Sequence, residues 1–131
     1  MLVSQFTVET ANLASAAFLQ DQIDRVLALR ADEISAQNGL FILHDFRAAT
    51  RYDSDARIAF FERMRKRPRG YMRRSVTCVR STPLLRMIVQ AGNLAATLVS
   101  GSVSEMALDP EPVLRAHLIT PPSAGERFPG S

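Results

Sequence analysis

His44 and Asp45 stand side by side where an apolar run, Leu40 to Leu43, gives out. An imidazole at the carboxyl end of a strand could serve as acid or base, and the carboxylate could orient a neighbour. Neither a nucleophile nor a metal partner accompanies them, so the pair reads as polar groups that fix a strand exit by bonding loop amides. Asp53-Ser54-Asp55 follows, a cluster of residues that favour helix starts. A serine there is a natural phosphorylation site, because helix N-terminal N–H groups favour added negative charge. Asp53 and Asp55 would oppose that charge. The most charged stretch comes next, with Arg63, Arg65, Lys66, Arg67, Arg69, Arg73 and Arg74 within twelve residues. Such a cluster would draw nucleic-acid phosphates, anionic lipid headgroups or an acidic protein face. Tyr71 is the single aromatic residue within it, too few for a base-stacking platform. Basic residues also complement the dipole at a helix C-terminus, so a solvated helix end or a protein-facing patch is the reading favoured here.

Several chemistries are excluded by what is missing. Neither phosphate-cradling glycine motif is present, and there is no G-x-S-x-G nucleophile elbow. The two histidines, His44 and His117, lie far apart and the one cysteine is Cys78. No zinc-type ligand set can be assembled from these, and neither a metal nor a cofactor is expected. Cys78 sits in the apolar run Val76 to Val79 and reads as a small buried hydrophobe. The expectation is a protein without catalytic residues.

The elements that must position these residues are legible from periodicity. Val3, Phe6 and Val8 mark a strand from Leu2 to Val8, with a break near Ser4 and Gln5. Phe18, Leu19, Ile23, Val26, Leu27 and Ile34 recur at helical spacing, and Gln20, Asp21, Asp24 and Arg25 are assigned to the opposite face. Asn12 or Ser15 can cap this helix, and Asn38-Gly39 can stop it. Leu40 to Leu43, apolar at consecutive positions, reads as a central strand covered on both faces. After the loop Arg47 to Tyr52, Ala56, Phe60 and Met64 stack on a second helix, with Ile58 and Phe61 alongside. Pro68 and Gly70 end it. Ser75 to Val79 is a β-branched strand. Thr82-Pro83 opens a helix that runs to about Val99, with Arg86, Gln90, Asn93 and Thr97 as its polar stripe. Its apolar arc is wider than one sheet contact needs, so it is either nearly buried or forms a dimer face. Gly101 can stop it, Val103 to Leu108 is a last strand, and Pro112 to Leu118 a closing helix.

This alternation specifies an α/β domain with a small, mostly parallel or mixed four-stranded sheet and covering helices. At 131 residues, with 47% hydrophobic and 22% charged residues, the chain fits one globular domain. That domain is expected over residues 1–119, with a flexible tail over 120–131, where prolines and glycines collect. No apolar stretch is long enough for a transmembrane helix, and no signal peptide is evident, so a cytoplasmic location is expected. The net charge of +3 conceals segregation: residues 63–104 hold nine basic residues and no Asp or Glu. Seven basic against thirteen acidic residues are left for the rest of the chain. Segregation of this kind bears on partners rather than on fold.

The strand Leu40 to Phe46, a short loop, and Tyr52-Asp53-Ser54-Asp55 opening a helix resemble the STAS domains of bacterial anti-sigma factor antagonists. Those domains carry a strand, a loop with an Asp-Ser-Ser/Thr-Gly motif, and then a helix. The later elements are similar in order, so the resemblance spans residues 2–118, mainly as topology. It implies that Ser54 would take the place of the family's regulatory phosphoserine, after the aspartate that Asp53 matches. Asp55 stands where the family has its second hydroxyl residue, and Ala56 where it has glycine. A broader bacterial STAS/Sec14-like group, similar in the same elements and in the basic helix end, resembles the chain more than the antagonists do, and that resemblance implies no established chemistry. The resemblance implies a non-enzymatic regulatory domain that docks to a protein partner, using Asp53, Asp55 and the basic residues 63–74 as its surface. The alternative expectation is an electrostatic binder of nucleic acid or an anionic membrane surface. A homodimer remains open.

Overall fold

The run assigned to the centre of the sheet is buried along its whole length in the computed structural model, which describes residues 1–80 and 82–119. The elements are β1 (Leu2–Gln5), β2 (Thr10–Ala11), α1 (Leu13–Leu29), α2 (Ala31–Ala36) and β3 (Leu40–Asp45). They continue as β4 (Arg51–Tyr52), α3 (Ser54–Arg65), β5 (Met72–Cys78), α4 (Pro83–Ser100), β6 (Val103–Ala107) and α5 (Glu111–Ile119). Four strands form one parallel sheet in the order β1-β3-β5-β6. The protein is thus α/β with a parallel sheet and flanking helices. The short strands β2 and β4 pair separately, an addition the sequence pattern does not announce. The tail expected from residue 120 lies outside the described residues.

Strand order follows chain order, so every crossover steps the same way. Crossovers of one hand then deliver their helices to one face. Accordingly α1, α3 and α4 share one side, over a core that includes Leu19, Ile23, Ile42, Met64, Met72 and Val89. The opposite side is a smaller cluster of Phe41, Leu43, Val76 and Cys78, covered by Val113 and Leu114 of α5. Strand β1 runs unbroken through Ser4 and Gln5, which pair with His44 and Asp45, and it stops before Val8.

Local chemistry sets the ends of the helices. The Asn12 side chain accepts from the Ser15 backbone N–H, and the Ser15 hydroxyl in turn accepts from the Asn12 backbone, a reciprocal capping box. Asn38 and Gly39 both take positive φ, at 61° and 112°. Gly39 has no alternative, because a Cβ there would lie 2.6 Å from the Gly70 carbonyl oxygen and 2.9 Å from the Arg73 nitrogen. Gly101 ends α4 in the left-handed region. On β5, Arg73 is a bulge residue: Leu40 pairs with Met72 but Phe41 with Arg74.

Helix α1 departs from its expected faces. Gln20 is 1% exposed whereas Phe18 is 66% exposed. At about 100° per residue, Gln20 falls only about 40° from Ala16 and 60° from Ile23, the centre of the buried stripe. Phe18 is about 140° from Ile23 and faces out. Gly92, by contrast with Gly39, sits inside α4 with room for a Cβ 3.5 Å from Phe61 Cζ. Urea unfolding should therefore separate the two glycines. Gly39→Ala is expected to lose more than about 2 kcal/mol through clash and strain. Gly92→Ala should gain about 0.5–1 kcal/mol from helix propensity.

Candidate functional site

Strand alternation parts the two residues at the strand exit. His44 faces the three-helix side and Asp45 the other, where Asp45 receives two 2.9 Å hydrogen bonds from the Arg47 guanidinium. The bonds from Arg47 hold the Asp45 carboxyl below the usual range. Asp45, Arg47 and Arg80 line a shallow cleft of about 430 Å³. His44 lines a separate and larger cavity of about 590 Å³ between the sheet and helices α1, α3 and α4. Ser54 contributes to the same cavity, so the structure brings His44 and Ser54 to one space and leaves Asp45 outside it.

The cavity floor is Ile42, His44, Phe46, Ser75 and Thr77, and its walls include Ile23, Phe60, Phe61, Met64 and Val89. Its surface is mainly hydrocarbon with a few convergent polar groups, the usual make-up of a small-molecule site. His44 Nδ1 lies 2.6 Å from Ser4 Oγ on the neighbouring strand. The ring packs among aromatics, tilted against Phe46 at 4.9 Å between centroids and edge to face with Phe60 at 5.9 Å. Burial, assisted by the charge of Arg67, pushes the imidazole down to about 4, so His44 is neutral at physiological pH. Ser75 donates to Ser104 at 3.0 Å. Two groups have no such partner. Both the amide nitrogen and oxygen of Gln20, and the hydroxyl of Tyr52, are buried without a hydrogen bond. Burial pushes the Tyr52 hydroxyl up to about 12. Sequence reasoning missed Gln20 by assigning it to the polar face, although the helical wheel alone places it inside.

Ser54, Arg57 and Ile58 of α3 and Met87 and Ala91 of α4 line the cavity while remaining exposed, which puts its mouth between these two helices. Arg57 Nη2 donates to Ser54 Oγ at 3.2 Å. Asp53 occupies the cap position of α3 without a side-chain cap bond, and its carboxylate pairs with Arg51 at 3.2 Å. Asp55 accepts from the Ala56 N–H at 2.8 Å.

The basic segment is largely occupied within the fold. Arg63 bridges Asp21 and Asp24 at 2.6 Å each. Arg67, whose side chain is 5% exposed, bonds Asp24 at 2.7 Å and the Gln20 carbonyl at 3.1 Å. Burial pushes the Asp24 carboxyl up, but hydrogen bonds from Arg67 and Arg63 outweigh it and leave it below the usual value. Arg65 pairs with Glu62, and Arg74 with Glu105. Arg73 and Arg74 lie over the Phe41 ring on the far side of the sheet. Arg69 donates to the Val99 carbonyl at the end of α4. Lys66 is exposed at the end of α3.

Helix α4 presents a second candidate surface. Leu84, Met87, Leu94 and Leu98 are between 62% and 72% exposed. With exposed Ala91 they form a stripe at alternating three- and four-residue spacing, the spacing of a coiled-coil seam. Of the two outcomes foreseen for this helix, its outer face is exposed on the chain by itself. Cys78 is fully buried, and burial pushes its thiol up to about 11. Among the described residues no cluster of three or more His, Cys, Asp or Glu is placed to hold a metal ion, and no helix is long and apolar enough to cross a membrane. Comparison with protein-family models, curated proteins and solved structures finds no match to this chain.

A buried neutral histidine makes stability depend on pH. Because the folded-state value is depressed from 6.5 to about 4, the unfolded chain binds the proton first. His44's contribution is full above about 6.5 and is lost as pH falls towards 4, to the extent of about 3 kcal/mol. Urea unfolding between pH 7 and 4.5 should show this slope, and His44→Leu should flatten it. A smaller slope should remain from His117, whose value is also lowered, chiefly by burial.

Proposed function

We propose that the protein is a non-enzymatic interaction domain of STAS-like type that docks a protein partner helix to helix. The observation that carries this reading is the exposed stripe Leu84, Met87, Ala91, Leu94 and Leu98 on α4. From Leu84 to Leu98 the stripe runs about 21 Å along the helix. The fold class agrees with a STAS-like architecture, and Ser54 stands exposed at the start of α3, after the central strand. Arg57 beside it would pair with an added phosphate. The rival reading, attraction of nucleic acid or anionic membrane, draws less support. Arg63, Arg65, Arg67 and Arg74 already face carboxylates.

The partner that the stripe fits is a second copy of the chain. Laid antiparallel with the two-fold axis at Ala91, Leu84 meets Leu98 and Met87 meets Leu94. The small side chain at the centre lets the helices approach. Arg86 is the single charged residue of α4. In this arrangement the two copies of Arg86 are separated by about 15 Å along the axis, beyond the ~8 Å screening length. A contact along one helix is smaller than the ~800 Å² per partner of a standard interface, so the dimer is reversible.

Sedimentation velocity over a concentration series should show monomer passing to dimer. Leu94→Glu should weaken association at least about tenfold, or about 1.4 kcal/mol, with the circular dichroism spectrum unchanged. Phe18→Glu, an exposed apolar residue elsewhere, should leave it intact. A wild-type chain that stays monomeric throughout, or a Leu94→Glu chain that still dimerises normally, would sink the proposal.

A further inference from the structure

We infer that the cavity beneath α1, α3 and α4 binds an uncharged, largely apolar small molecule carrying one or two hydrogen-bonding groups, and that the Gln20 amide recognises those groups. Three observations carry it. The cavity, about 590 Å³, falls within the range of small-molecule pockets. The side chain of Gln20 is 1% exposed, lines this space, and leaves both its amide nitrogen and oxygen unpaired. An amide offers two donors and an acceptor, so a ligand amide, hydroxyl or phenol can satisfy both atoms at once. The Tyr52 hydroxyl, also lining the space and unpaired, supplies a second polar contact.

Charge selects against ions. The Arg67 guanidinium bonds the backbone carbonyl of Gln20, and Asp24 already pairs with it. Arg57 is the one cation lining the cavity, and it stands exposed at the mouth. A carboxylate or ammonium carried deep into this apolar space would find no counter-charge and would lose its hydration. Water is the competing occupant, but each buried water needs two to four polar partners. The walls formed by Ile23, Phe60, Phe61 and Met64 offer none. Water is therefore held only beside the polar groups of Gln20, Tyr52 and the floor, and the rest of the space suits hydrocarbon. This inference rests on the polar groups of the interior and not on docking at α4, although Met87 and Ala91 stand both at the cavity mouth and in the outer stripe.

The test is a methyl NMR titration of the full chain with three probes of one shape: naphthalene, 2-naphthamide and 2-naphthoate. Expected shifts fall on Ile23, Ile42, Ile88 and Val89, which line the cavity, while Ile34 and the outer Leu98 stay still. The amide probe should bind about five- to thirtyfold tighter than naphthalene, the gain of one or two satisfied hydrogen bonds. The carboxylate should bind weakest. Gln20→Met, which keeps the length and helix propensity of the side chain, should abolish the advantage of the amide while retaining naphthalene. In the wild-type chain, NOEs should join the probe amide to the Gln20 side chain, which keeps the test open should the variant misfold. The inference is overturned if the cavity methyls do not respond, which leaves water as the occupant. It is overturned equally if shifts are confined to Leu84, Leu94 and Leu98, or if Gln20→Met preserves the preference.

Discussion

Strand β3 must be covered on both faces, and most of the architecture is the means of doing so. Its six residues are all buried, with Leu40, Ile42 and His44 facing one way and Phe41, Leu43 and Asp45 the other. Neighbours on either side satisfy its backbone in parallel register. The connections between successive parallel strands supply α1, α3 and α4 as one layer, which leaves the second face to α5. The two layers are therefore unequal. Three helices sit over one side, and a single short helix, with the guanidinium groups of Arg73 and Arg74 over Phe41, closes the centre of the other.

The fuller layer is also where polar groups are buried. Ser4, His44 and Thr77 stand in register across three strands on that face, so the sheet brings a polar seam to the inside of an otherwise apolar space. Burial keeps the imidazole neutral, which is the state that such a space tolerates. Arg67 resolves a harder case at the edge of the same layer. A guanidinium withdrawn from water needs a carboxylate and further acceptors, and it finds Asp24, the Gln20 carbonyl and the face of Tyr71. That bond set ties the end of α3 to the middle of α1. Much of the charge in the basic segment is thus structural, holding helices together and closing the end of α4.

Helix α4 has two apolar sides with separate consequences. Leu85, Val89 and Ala96 turn inward, and Val89 and Ala96 line the cavity. Leu84, Met87, Leu94 and Leu98 turn outward onto solvent. A helix buried on both sides would need another element, which the described chain does not place there. The polar residues Arg86, Gln90, Asn93 and Thr97 separate these surfaces along one edge of the helix, while Ile88, Ala95 and Val99 join them along the other. Met87 and Ala91 belong to both surfaces, so a helix docked on α4 would cover the mouth of the cavity.

Periodicity and turn chemistry along the chain determine the order of the four main strands and their connecting helices, the central strand, the stops at Asn38-Gly39 and Gly101, and the parallel α/β class. These depend on neighbours in sequence: an apolar run, a residue with positive φ, a proline at the first helical position. The short strands β2 and β4 and the break between α1 and α2 are not determined in this way. The buried state of Cys78 follows equally from its run of apolar neighbours. Other features required the third dimension. The sequence shows seven basic residues in one segment but not that Asp21, Asp24 and Glu105, distant in the chain, meet several of them. It places His44, Asp45 and Ser54 close together, whereas strand alternation and helix packing put His44 and Ser54 on one cavity and Asp45 on another face. Gln20 is the intermediate case. Its position on the inner stripe of α1 is arithmetic on the helix. That nothing bonds its amide is decided by which atoms the sheet and the other helices bring across from it, because a hydrogen bond is a relation in space rather than along the chain.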